Sequence, residues 1–140
     1  MIQRKQTLWL LIAAIASFLT LKFPFYTGNV LDSITNSKVY HSLDARFDIL
    51  ITILSVAIGV VSLLTIFLYS DRKKQMIISV ANLFLSIIVI VLYYLQTKKF
   101  VDGTFSITSI LNLIIPVMLI MAIIGINKDE KLIKSVDRLR

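Results

Sequence analysis

Hydrophobic positions gather into four uninterrupted runs. Residues 6–21, 49–70, 75–97 and 103–127 carry no charged side chain and make up more than half of the chain. Crossing a hydrocarbon core of about 30 Å takes about 20 apolar residues, which the second, third and fourth runs supply directly. The first is shorter, because Lys22 interrupts it and Phe23, Pro24 and Phe25 follow. A lysine at the headgroups can snorkel, so a span from about Gln6 to Phe25 is feasible. The pattern predicts an all-α fold: a transmembrane antiparallel four-helix bundle with helices at about 6–25, 49–70, 75–97 and 103–127, and a short amphipathic cytoplasmic C-terminal helix in the tail, 128–140. A single integral membrane domain would then cover residues 1–140.

A second reading of the first run is a secretory signal peptide, with Met1 to Lys5 as its basic region and Ala14-Ile15-Ala16 as the cleavage site. Apolar sequence continues past that point through Ser17, Phe18, Leu19 and Leu21, which favours an uncleaved helix. Either way, the later helices keep the same orientation.

Basic side chains set that orientation. With the N-terminus inside, Arg4, Lys5, Arg72, Lys73, Lys74, Lys128, Lys131, Lys134, Arg138 and Arg140 lie on one face, and only Lys22, Lys38, Arg46, Lys98 and Lys99 on the other. The positive-inside bias therefore puts both termini in the cytoplasm. Trp9 and Tyr69 fall near the inner interface, with Phe25, Tyr26, Tyr93, Tyr94 and Phe100 near the outer one. Loops Ser70 to Lys74 and Lys98 to Asp102 are tight, so helices two, three and four should be consecutive antiparallel neighbours. Asp102-Gly103 reads as a turn. The first loop, Tyr26 to Asp48, is polar and longer. It reads as a solvated cap over the outer helix ends in preference to a binding loop.

Helices in lipid associate through small residues and interhelical hydrogen bonds, so each span should carry such a stripe. Helix one has Ala13, Ser17 and Thr20; helix two has Thr52, Ser55, Gly59 and Ser62. Helix three is clearer, with Gln75, Ser79, Asn82, Ser86, Tyr93 and Gln96 on a seven-residue repeat that Val89 completes. Helix four offers Thr108, Asn112, Ala122 and Gly125. Packing explains these stripes better than a substrate path, since no charge joins them. Asn82 and Asn112 are costly in hydrocarbon without a partner. They differ in depth, about 10 Å and 22 Å from the cytoplasmic end, so a direct pair is not expected. Pro116 removes the amide that would bond the Asn112 carbonyl, and a kink is expected in that turn.

Composition narrows the function classes. The chain is 57% hydrophobic and 16% charged and contains no cysteine and one histidine, which removes thiol redox chemistry, disulfides and Cys/His metal centres. The net charge of +7 sits in short clusters at the ends of apolar runs, a membrane pattern rather than a nucleic-acid one. No ionisable residue lies inside the three later spans, against coupled transport and intramembrane hydrolysis. Phosphate loops, zinc motifs and nucleophile elbows are missing, so no catalytic, metal or cofactor-binding residues are assigned. An enzyme would have to rely on hydroxyls, amides or Tyr40-His41 without an organised base.

The tail from Asn127 to Arg140 continues helically out of span four. Leu132, Ile133, Val136 and Leu139 make an apolar face, Glu130 faces Lys134, and the segment suits an anionic inner surface or a partner. The opening MIQRKQTLWLLIAAI and the closing NKDEKLIKSVDRLR resemble the two ends of an uncharacterised family of small bacterial four-helix inner-membrane proteins, a domain of unknown function. The resemblance implies a four-span inner-membrane protein with no catalytic residues to transfer. Any working surface it marks would use Gln3, Arg4 and Gln6 at one end and Lys128, Asp129, Glu130, Lys131, Asp137 and Arg138 at the other. The glutamine and arginine could meet the acidic groups of the tail.

These features lead to an expectation of a non-enzymatic accessory or assembly subunit, with membrane lipids as partners and a protein partner reached through the tail or a helix face. The alternative is a transporter or binder of a small neutral or lipidic molecule, using Ser79, Asn82, Ser86 and Asn112 near Pro116.

Overall fold

The computed structural model describes residues 5–31 and 37–137, with side chains as far as Leu132. Its elements in chain order are α1 (Lys5–Leu19), β1 (Tyr26–Leu31), β2 (Lys38–Leu43), α2 (Ile49–Phe67), α3 (Arg72–Thr97), β3 (Asp102–Phe105) and α4 (Ile110–Asp137), with single 3-10 turns at Leu68–Ser70 and Ile107–Ser109. Three helical stretches are long and apolar enough to cross a membrane: Ile49–Ser70, Arg72–Thr97 and Ile107–Leu132. The fold is therefore mostly helical, but a three-stranded sheet corrects the all-α expectation.

The first helix is the shortest. Its 15 residues reach only about 22 Å, so the expected helix from Gln6 to Phe25 is corrected to Lys5–Leu19. It stops because Thr20, Leu21, Lys22 and Phe23 fold their amides back onto the carbonyls of Ala16, Phe18 and Leu19. Pro24 then disfavours helical backbone at Phe23 and turns the chain to extended structure. By contrast, α3 begins three residues earlier than its apolar run. Asp71 caps it, accepting the amide of Lys74 at 3.3 Å while Lys74 Nζ sits 3.0 Å from the second carboxylate oxygen. Those bonds hold the Asp71 carboxyl below its ordinary 3.8.

The last span also moves. Residues 102–105, expected as a turn and the start of a helix, form a strand instead, and α4 starts at Ile110. It then runs through Pro116 to Asp137, so the tail continues α4 as expected from the sequence. The side chains of Ile133, Lys134 and Val136, and the whole of Leu139, lie outside the described part.

Each helix packs against two others: α1 on α2 and α4, and α3 on α2 and α4. Over the helix ends away from the chain termini, the sheet has the order β2-β1-β3, all antiparallel. Cross-strand partners share a face. Tyr26, Leu43 and Phe105 therefore stand together with Val30 and Val39, while Asn29, Tyr40 and Asp102 stand on the other side with Thr27, Ser42 and Thr104. Leu43 is fully buried, and Tyr26 and Val30 join the hydrophobic core. Lys38 reaches over β1 to Asp102, 2.5 Å away, tying the two edge strands together. Opposite each other at the β1–β3 crossing are Gly28 and Gly103. A methyl group on Gly28 would meet the Asp102 carbonyl oxygen at 2.3 Å, and one on Gly103 would meet the Tyr26 ring at 2.4 Å, so close strand approach, not a turn, is what demands glycine here.

Candidate functional site

The polar stripe of α3 is the natural starting point, because its direction decides between packing and a path. It faces inward. Gln75, Ser79, Asn82, Ser86, Val89 and Tyr93 are all buried, in the spacing read from the sequence. They meet a matching face of α2, where Ser55, Ile58, Gly59, Ser62 and Thr65 are buried. Small residues on α2 let the helices approach closely enough for direct hydrogen bonds. Asn82 donates its amide to Ser62 Oγ at 2.8 Å and to the Ile58 carbonyl at 3.3 Å. Two turns toward the termini, Gln75 donates to the Thr65 carbonyl at 3.1 Å. Ser79 bonds within α3, to the Gln75 carbonyl at 2.8 Å.

The other helices complete this interior. On α1, Ser17 donates to the Ser55 carbonyl at 2.5 Å, and Thr20 to the Ser17 carbonyl at 2.7 Å. Gly59 accommodates the Phe18 ring, which would lie 2.8 Å from any added methyl. Asn112 of α4 is also buried but makes no hydrogen bond with Asn82 among those of the described residues. Pro116 leaves the Asn112 carbonyl without its helical amide donor while the helix continues past it.

Several buried acceptors stay unpaired: Gln6 Oε1, Ser55 Oγ, Gln75 Oε1, Asn82 Oδ1, Tyr93 OH and Gln96 Oε1. At Gln75 and Asn82 the amide nitrogen is the end that interlocks α3 with α2, and the oxygen is left without a partner. The arrangement can hold helices in register and offer acceptors to a small donor such as water. It holds no acid–base pair and no nucleophile with a base. Among the described residues there is no group of three His, Cys, Asp or Glu side chains placed to hold a metal ion. Tyr40 and His41 lie exposed on β2, and the His41 ring faces Phe47 at 6.5 Å.

At the ends of the spans, three links were not legible in the sequence. Gln96 closes the α3 stripe by donating to Asp48, whose other oxygen caps α2 through the Leu50 amide at 3.0 Å. Arg72 donates to the Asp129 carbonyl at 2.9 Å, fastening the start of α3 to α4. Thr108 reaches the Pro24 carbonyl. The aromatics expected at the outer interface divide: Tyr94 is exposed, whereas Phe25, Tyr93 and Phe100 are buried beneath the sheet. The Phe25 and Tyr93 rings stack at 4.8 Å, and Tyr26 meets Phe100 edge-on at 5.3 Å.

Of the terminal positions, Gln6 is buried against Gly125, where an added methyl would come within 3.2 Å of its Cβ. Lys128 and Lys131 are exposed. Gln3, Arg4, Arg138 and the Asp137 side chain lie outside the described part.

A family model described as Domain of unknown function (DUF4293) matches residues 2–139, so the chain belongs to that family. No curated protein and no solved structure matches it.

Proposed function

We propose that this DUF4293 member is a non-enzymatic, multi-pass protein of the bacterial inner membrane, an antiparallel four-helix bundle with both termini in the cytoplasm, that serves as an accessory or assembly subunit. The observation that carries this reading is the division of its surface. From Ser55 to Thr65, from Gln75 to Tyr93 and from Asn112 to Ile126, every polar side chain is buried, and the exposed positions are hydrophobic. Lipid can cover such a surface, but it gives a protein partner little specific to recognise. Specific contact then belongs to the ends: the cytoplasmic extension of α4, and the outer sheet with its exposed Tyr40, Phe105 and Ile107.

The basic clusters support the orientation. Purification of the tagged full chain from its native membrane in mild detergent tests the reading. A stoichiometric partner is expected, with its recovery lost when residues 128–140 are removed. Recovery only as a free monomer, with the tail dispensable in cells, overturns it.

The unpaired amide oxygens of Gln75 and Asn82 favour one second reading, a binder or transporter of a small neutral hydrogen-bond donor. Flux into proteoliposomes that survives Asn82→Leu with Asn112→Leu sinks that version.

A further inference from the structure

We infer that the α4 segment Ile124 to Lys131 is a binding site for the phosphodiester headgroup of an anionic phospholipid, in the leaflet on the side of the chain termini. A cleft of about 240 Å³ lies there, lined among the described residues by Ile124, Asn127, Lys128 and Lys131. These positions are spaced by three, one and three, which sets them on one helical face. The face changes character along its length in the order a lipid does. Ile124 is apolar and half exposed, Asn127 ends the uncharged run, and the two lysines follow. From Ile124 to Lys131 the axial rise is about 10 Å, enough to pass from acyl chain through the headgroup layer.

Both lysines are available. Neither forms an ion pair among the described residues, whereas Lys38 and Lys74 are held by Asp102 and Asp71. They are also well placed, because α4 stays helical to Asp137 and so carries them beyond the span on a rigid element. Asp129 leaves the helix about 100° from Lys128, Glu130 borders the face one turn beyond Asn127, and Arg72 is bonded to the Asp129 carbonyl, adding a further cation to this end. Two ammonium groups against one phosphodiester give net attraction, and the Asn127 amide can donate to the glycerol or ester oxygens. A zwitterionic lipid brings its own ammonium and loses that advantage. The site rests on the membrane reading above and names the lipid class that the tail end selects.

Native mass spectrometry of the full chain in mild detergent, titrated with phosphatidylglycerol, tests it. Wild type should retain a first phosphatidylglycerol in preference to phosphatidylcholine. Lys128→Gln with Lys131→Gln should weaken that binding roughly 30-fold, from about 1 kcal/mol per lysine. The exposed pair at the other end, Lys98→Gln with Lys99→Gln, should leave it unchanged, and Lys128→Arg with Lys131→Arg should keep it. An unaltered affinity in the glutamine pair, equal loss in the Lys98/Lys99 pair, equal retention of phosphatidylcholine, or displacement by inorganic phosphate overturns the site. These outcomes leave the membrane reading intact, whereas wild type that retains no lipid of either kind would remove both.

Discussion

The helical half of this molecule, apolar enough to cross a membrane, and the sheet over one end of it are built with opposite polarity. Between α2 and α3 the interior is amides, hydroxyls and glycine, and the exterior is isoleucine, leucine and valine. Under the sheet the interior is Phe25, Leu43, Tyr93 and Phe100, and the exterior carries Lys38, Asp102 and threonines beside the exposed Tyr40 and Phe105. The solvent accounts for the inversion. In water, burying aromatic area is favourable in itself, at about 25 cal/mol per Å². In lipid that gain vanishes between helices, and what holds them is close packing with hydrogen bonds that the acyl chains cannot offer.

The comparison can be broken most forcefully at the cap. Phe25→Ala removes the ring that stacks on Tyr93 and should cost about 3 to 5 kcal/mol, the usual loss for a buried phenylalanine. Amide exchange should accelerate in 26–31 and 38–43 and stay slow in the middle of α3; uniform acceleration would show that the two regions are one cooperative unit. Next in size, Gly103→Val forces a side chain into the Tyr26 ring and should cost about 1 to 3 kcal/mol. It should detach β3 while leaving β1 paired to β2, an outcome visible in cross-strand nuclear Overhauser contacts.

Asn82→Leu probes the other half. Losing its two bonds to α2 should cost about 1 to 2 kcal/mol in detergent unfolding, with faster exchange confined to α2 and α3. Unchanged or greater stability would mean that its unpaired oxygen offsets the gain from its nitrogen. The smallest effect belongs to Asp71. Its carboxyl is held low by the side chain and amide of Lys74, so its contribution is complete above 3.8 and disappears as pH falls through the lower folded value. Fraying at the start of α3 should therefore appear only in strong acid, and Asp71→Asn should abolish that pH dependence. Fraying already present near pH 5 would contradict the assignment.

The spanning half was legible because its evidence is local. Gln75, Ser79, Asn82, Ser86, Val89 and Tyr93 recur at three and four residues, and a helix turns that spacing into one face. The whole set is buried. The partner could not be read off in the same way. Nothing in the spacing says that Asn82 meets Ser62 and the Ile58 carbonyl, because that depends on how far α3 slides along α2. The first helix misled for a related reason: composition permits a span to Phe25, while the backbone closure at Leu19 to Phe23 ends it early.

What the sequence determined by itself is therefore what one helix can decide alone: three apolar spans, the inward face of each polar stripe, and the separation of charges to the ends. Tertiary structure alone decided the cap. Its strands, 26–31, 38–43 and 102–105, are short and lie up to about 75 residues apart, and each stands as a strand only when the others satisfy its amides and carbonyls. Gly103 shows the difference at one position. In the sequence it follows Asp102 like a turn residue, and in the fold it is the bare surface that the Tyr26 ring needs.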